Sequence, residues 1–117
     1  MKWFKRGDRI SLNHVRDKIY AVEGDEELEL RIDEDAMMMA RRIKKVLGDI
    51  DKAKENPDMI ENAAVRFARA VFGVEQAEKL TAFYNGNVYA VFEFTSKYFT
   101  SRLTDKITRA QKNAKVI

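Results

Sequence analysis

Between Ile60 and Phe72 the apolar residues recur at one interval: Ile60, Ala63, Ala64, Phe67, Ala68, Val71 and Phe72 stand at i, i+3, i+4, i+7, i+8, i+11 and i+12. Only an α-helix, with its turn of about 3.6 residues, gathers such positions on one side. The spacing predicts a helix over 58–72 with that face buried. Asp58 with Glu61 resembles a capping box, with Asp58 in the capping place. Gly73 is placed for a left-handed stop. A shorter helix over 75–84 shows Ala77, Leu80 and Tyr84 on one face, with Phe83 beside it. Asn85-Gly86 closes it, and Asn87 is positioned to cap the next helix. No cluster of catalytic residue types lies in the run from Asp58 to Asn87, which points to a packed helical scaffold that acts by binding other proteins.

The elements on either side follow the same logic. A last helix is expected over 88–113, with Val88, Val91, Phe92, Thr95, Phe99, Leu103 and Ile107 as its apolar stripe. Tyr89, Phe94 and Tyr98 widen that stripe beyond what one neighbouring helix needs. Past Ile107 the chain turns polar and basic, and 114–117 is expected to fray. Upstream, Met39, Ile43, Val46 or Leu47, and Ile50 repeat at helical spacing. The expected helix is 33–55, with Asp33 as N-cap and Glu34 and Asp35 in the first turn, where the helix dipole favours acids. Asn56-Pro57 ends it. In the triplet Met37, Met38 and Met39, one or two side chains must face the core.

The strand signal lies in 18–32. Lys18 to Val22 is β-prone, Glu23-Gly-Asp-Glu26 supplies turn chemistry, and Leu28, Leu30 and Ile32 alternate with Glu27, Glu29 and Arg31. This reads as a β-hairpin with one wet face. A lone hairpin is marginal in water, so its apolar face must lie on the helices. Ile10 and Leu12 alternate with polar neighbours and permit a third short strand, while residues 1–17 as a whole give no firm pattern. The expected fold is a single α+β domain, mostly α: an N-terminal hairpin, or three short antiparallel strands, packed on a bundle of about four helices. A chain of 117 residues with 45% hydrophobic and 35% charged residues suits one such core.

Charge is unevenly spread. Residues 23–35 carry eight acids against Arg31, whereas 102–117 carry five bases against Asp105 and the first nine residues carry four bases against Asp8. Such opposite patches favour docking to charged partners or self-association; solvated faces that keep the chain soluble are the plainer reading. Arg102, Lys106, Arg109 and Lys112 share one stripe that would suit phosphates. No helix-turn-helix, zinc-finger or RNA-recognition motif accompanies it, so a small nucleic-acid-binding regulator is the weaker alternative. His14 is the only histidine, and scattered acids offer no partner set for a Ser-His-acid arrangement. Asp25, Glu27 and Glu29 do not follow the calcium-loop ligand order. Gly7, Gly24, Gly48, Gly73 and Gly86 stand singly rather than in a phosphate loop. The expectation is therefore no catalytic site, no metal and no cofactor. No apolar signal region follows the basic Met-Lys-Trp-Phe-Lys-Arg start, and the expected location is cytoplasmic.

The stretch AVRFARAVFGVEQAEKLTAFYNGN, between the acid-started helix and the aromatic-rich basic helix, resembles the tail assembly chaperones of long-tailed bacteriophages and of prophages in Gram-positive bacteria. The residues that carry the likeness are Val71-Phe72-Gly73, Glu75, Ala77-Glu78-Lys79-Leu80 and Phe83-Tyr84-Asn85-Gly86-Asn87. It covers 58–103 well and the hairpin in pattern only. The resemblance implies a non-enzymatic morphogenesis factor in the host cytoplasm. Such a factor binds the tape-measure protein and helps recruit tail-tube subunits; in many such phages a longer form arises by translational frameshifting. A generic helical protein–protein interaction module of a phage or bacterial assembly is the alternative. On either reading the last helix is the candidate partner-binding surface, through Tyr89, Phe94, Tyr98, Arg102, Lys106 and Arg109.

Overall fold

The computed structural model describes residues 14–53 and 56–116. Two antiparallel strands, β1 (His14–Glu23) and β2 (Glu26–Asp35), are followed by α1 (Ala36–Ala53), α2 (Pro57–Phe72), α3 (Val74–Phe83) and α4 (Val88–Tyr98). A π-helical segment (Phe99–Leu103) then joins α4 to α5 (Thr104–Val116). The fold is α+β and mostly α, with the hairpin packed on the helices. The suggested strand around Ile10 and Leu12 lies outside the described residues.

The hairpin is longer at both ends than its alternation implies. Glu23 pairs with Glu26 across the two-residue loop Gly24-Asp25, and the ladder runs to His14 opposite Asp35. Gly24 has φ 61 and Asp25 has no positive φ, the pattern of a II′ turn whose twist matches the strands. At the far end Arg16 stands directly opposite Asp33, and Asp33 Oδ1 accepts from Arg16 Nε at 3.3 Å and lies 2.9 Å from His14 Nδ1. That pairing holds Asp33 in the sheet. It corrects the expected cap: the N-cap of α1 is Asp35, whose Oδ2 accepts from the amide of Met38 at 3.0 Å, and the helix starts at Ala36. Val15, Ile19, Ala21, Leu30 and Ile32 form the buried face of the sheet.

Helix ends follow their residues closely, with three more corrections. Pro57 is the first residue of α2, a position where its missing N–H costs nothing, so Asp58 lies in the first turn rather than at the cap. Gly73 has φ 86 and ψ 161, outside the left-handed helical region and in territory that is essentially glycine's alone. There its amide still donates to Arg69 O at 2.9 Å while its carbonyl accepts from Ala77 at 3.0 Å, so one residue ends α2 and starts α3. The exit of α3 is a Schellman turn: Gly86 N donates to Thr81 O, Asn85 N to Ala82 O, and Asn85 takes the left-handed φ of 56. Asn87 Oδ1 then accepts from Tyr89 N and Ala90 N and caps α4. The backbone stays helical to Val116, past the expected end at 113, in keeping with the helix propensity of Ala114 and Lys115.

Phe67 sits at the centre of the core, with Phe92 and Phe99 at ring distances of 5.9 and 5.7 Å. Met39, Ile43, Val46, Ala68, Val71, Leu80, Val91 and Leu103 are buried in the same core. Of the methionine triplet only Met39 is buried, and Leu47 is exposed while Val46 packs. The π segment corrects the single continuous helix. Thr95, Phe99, Leu103 and Ile107 advance in four-residue steps, each of which turns a stripe about 40° around an ordinary α-helix. One wider turn takes up that drift, so that Val91, Thr95 and Tyr98 before it and Leu103, Ile107 and Ala110 after it all face inward. Thr104 N donates to Phe99 O across the wide turn, and the hydroxyls of Thr100 and Ser101 donate to Ser96 O and Lys97 O at 2.9 and 2.5 Å.

Candidate functional site

The six residues expected to form one partner-binding stripe are divided by the fold. Three converge on an acid at the hairpin's inner face. Asp17 occupies the apolar phase of β1, between Val15 and Ile19, and its side chain is 8% exposed. Tyr98 donates its hydroxyl to Asp17 Oδ2 at 2.9 Å, and Arg102 donates to Asp17 Oδ1 at 2.6 Å. Lys106 Nζ stands 3.8 Å from the same oxygen, and the Lys18 amide also donates to it at 2.9 Å. Spaced at i, i+4 and i+8, the three side chains form a clasp that ties the terminal helix to β1, and Arg102 lies over the Tyr98 ring at 5.8 Å.

Tyr98 is therefore a core residue, 5% exposed and stacked on Phe72 at 5.8 Å, which corrects its place in an open stripe. Burial, then the hydrogen bond to Asp17 and its charge, push the Tyr98 hydroxyl far above its ordinary pKa of 10; Arg102 opposes this weakly. Phe94 is half-buried against Phe72 and Tyr84, with ring distances of 6.0 and 6.4 Å. Tyr89 stays exposed at 60%, and Arg109 is exposed with no acidic partner among the described residues. The width of the aromatic stripe reflects several intramolecular neighbours: α2, α3 and the hairpin. The basic stripe proposed for phosphates is likewise broken, since two of its four cations face Asp17.

Sequence reasoning passed over Asp17. The signal was present: continuing the alternation of Ile19 and Ala21 back to Val15 puts Asp17 on the buried face, and a buried acid requires donors. Other polar residues serve the frame. Gln76 in α3 bonds the free edge of β2 as a strand residue would, accepting from Arg31 N at 2.5 Å and donating to Arg31 O, and it also donates to Phe72 O at 2.9 Å. Arg42 makes two bonds to Glu34, at 2.8 and 2.7 Å, and donates to Ala70 O at the end of α2. His14 belongs to the Asp33 pair. Its hydrogen bond is the first cause, ahead of Arg16, of the lowered Asp33 pKa.

A groove of about 280 Å³ opens elsewhere, between α1 and the helix beyond the π turn. Ala40, Ile43, Leu47, Phe99 and Ile107 form its apolar floor, and Lys44, Thr104 and Thr108 its lip. None of the six expected site residues lines it. Among the described residues no helix is long and apolar enough to cross a membrane. Compared with family models, curated proteins and solved structures, the chain finds no match in any of the three.

Proposed function

We propose that this protein is a non-enzymatic assembly chaperone of the phage-tail type, acting in the cytoplasm of a bacterial host. It would bind the tape-measure protein, keep that long helical chain soluble, and help recruit tail-tube subunits. The observation that carries the reading is the segment Val71 to Asn87, whose residues bear the family resemblance. Those residues also have defined work in the fold: Gly73 is shared by two helices, Asn85-Gly86 makes the Schellman turn, and Asn87 caps α4. The division of polar residues supports the same reading, because His14, Asp17, Asp33, Glu34, Arg42 and Gln76 are engaged in holding elements together.

Co-expression with a fragment of the tape-measure protein encoded beside it is the direct test. The fragment should move from the insoluble to the soluble fraction and co-purify with the chaperone in a defined ratio. A fragment that remains insoluble with the partner present, in a genome lacking a neighbouring tail-tube gene, removes the basis of the proposal.

A further inference from the structure

We infer that the α1–α5 groove is a docking site for an amphipathic helix of a partner protein, with an apolar face for the floor and acidic residues on its flanks. The inference rests on the chaperone reading and deepens it by naming the surface and the chemistry of its occupant. The floor from Ala40 to Leu47 spans eight residues of α1, about 10 Å of helix rise or two turns. That length accepts apolar side chains at i, i+3 or i+4, and i+7.

Charge indicates which helix. Arg41, Lys44 and Lys45 on α1, and Arg109 and Lys112 on α5, are exposed and have no acidic partner among the described residues. Elsewhere on the same elements, bases with a frame-holding role are paired: Arg42 with Glu34, and Lys106 beside Asp17. Lys44 stands on the lip itself, and Lys112 lies one turn beyond Thr108. An apolar floor under unpaired cations complements an acidic, amphipathic surface, and opposite rim charges steer encounter and exclude basic competitors. The floor is formed by apolar side chains, which disfavours a phosphate backbone. The π turn bears on this too: it leads from Phe99 in the floor to Thr104 on the lip, and such turns are frequent at functional sites.

The test uses the full chain and two synthetic 18-residue helical peptides. Both carry Leu at i, i+3, i+4 and i+7; one has Glu on its flanks, the other Lys. Fluorescence anisotropy should show binding of the Glu peptide, weakened by salt, and binding of the Lys peptide about tenfold weaker or absent. Lys44→Glu with Arg41→Glu, both surface changes checked for native circular dichroism, should weaken the Glu peptide about tenfold. Leu47→Glu should abolish binding while leaving the same spectrum. Equal binding of both peptides, or indifference to these variants, overturns the inference. So does concentration-dependent self-association lost in Lys44→Glu without peptide binding, which would give the groove to a second copy. Duplex DNA binding lost in the same variants, again without peptide binding, would give it to nucleic acid and equally overturn it. If a tape-measure fragment is solubilised equally by wild type and groove variants, the groove falls and the chaperone reading stands. If the peptide binds and the fragment is never solubilised, the reverse holds.

Discussion

Replacing Asp17 with Ala should destabilise the fold by about 1–4 kcal/mol, most of it through a residue far away in sequence. The carboxylate receives Tyr98 at 2.9 Å, Arg102 at 2.6 Å and the Lys18 amide at 2.9 Å. Without it the Tyr98 hydroxyl is buried with its acceptor gone, which costs about 1–3 kcal/mol. Arg102 has half its side chain exposed and turns to water, so its share is discounted to less than about 1 kcal/mol. The Lys18 amide faces the free edge of β1 and rehydrates. Against a total stability of about 5–15 kcal/mol, the loss lowers Tm by about 4–16 °C. Urea denaturation followed by circular dichroism measures it, with the slope of the transition unchanged. Tyr98→Phe alone should cost about 1 kcal/mol, and in the double variant the two losses should fall short of their sum, because the orphaned hydroxyl is gone. A loss below about 0.5 kcal/mol for Asp17→Ala, or strictly additive losses, would refute a clasp centred on Asp17.

Three further outcomes are expected. Gly73→Ala should cost about 1–3 kcal/mol through backbone strain, since a Cβ there meets nothing within 4 Å; D-alanine, introduced by semisynthesis, should be tolerated, and an equal loss for both would point to a clash instead. Asn87→Ala should lower stability by about 1 kcal/mol in the same denaturation assay, and Asn87→Asp or Asn87→Ser should retain most of it, because either side chain can accept from Tyr89 N and Ala90 N. The raised pKa of Tyr98 gives stability that is complete below pH 10 and lost as pH rises toward the folded-state value. Wild-type stability should therefore fall above pH 10 by up to about 1.4 kcal/mol per pH unit from this group, and the slope should flatten in Tyr98→Phe; parallel slopes would contradict the assignment.

Much of the frame was legible because it rests on local rules. The period from Ile60 to Phe72, the stop at Gly73, the Asn85-Gly86 exit and the Gly24-Asp25 turn are each set by a few adjacent backbone torsions. Three consecutive acids, Asp33, Glu34 and Asp35, all suit a helix start, and strand register decided among them by setting Arg16 opposite Asp33. The π turn was written in the four-residue steps from Thr95 to Ile107, a drift that a helix facing one core cannot sustain.

The amino-acid sequence by itself determined the element types, most of their ends and the α+β class, because periodicity and capping depend on neighbours along the chain. It also determined that the last helix carries more apolar and aromatic surface than one neighbour covers. Only the tertiary structure decided where that surface goes. Phe72 and Tyr84 take Phe94, Phe72 and Asp17 take Tyr98, and the open apolar groove appears instead where α1 meets α5. The reason is physical: a stripe records how much surface must be buried, whereas loop lengths, register and the phase shift at Phe99–Leu103 set which partner buries it.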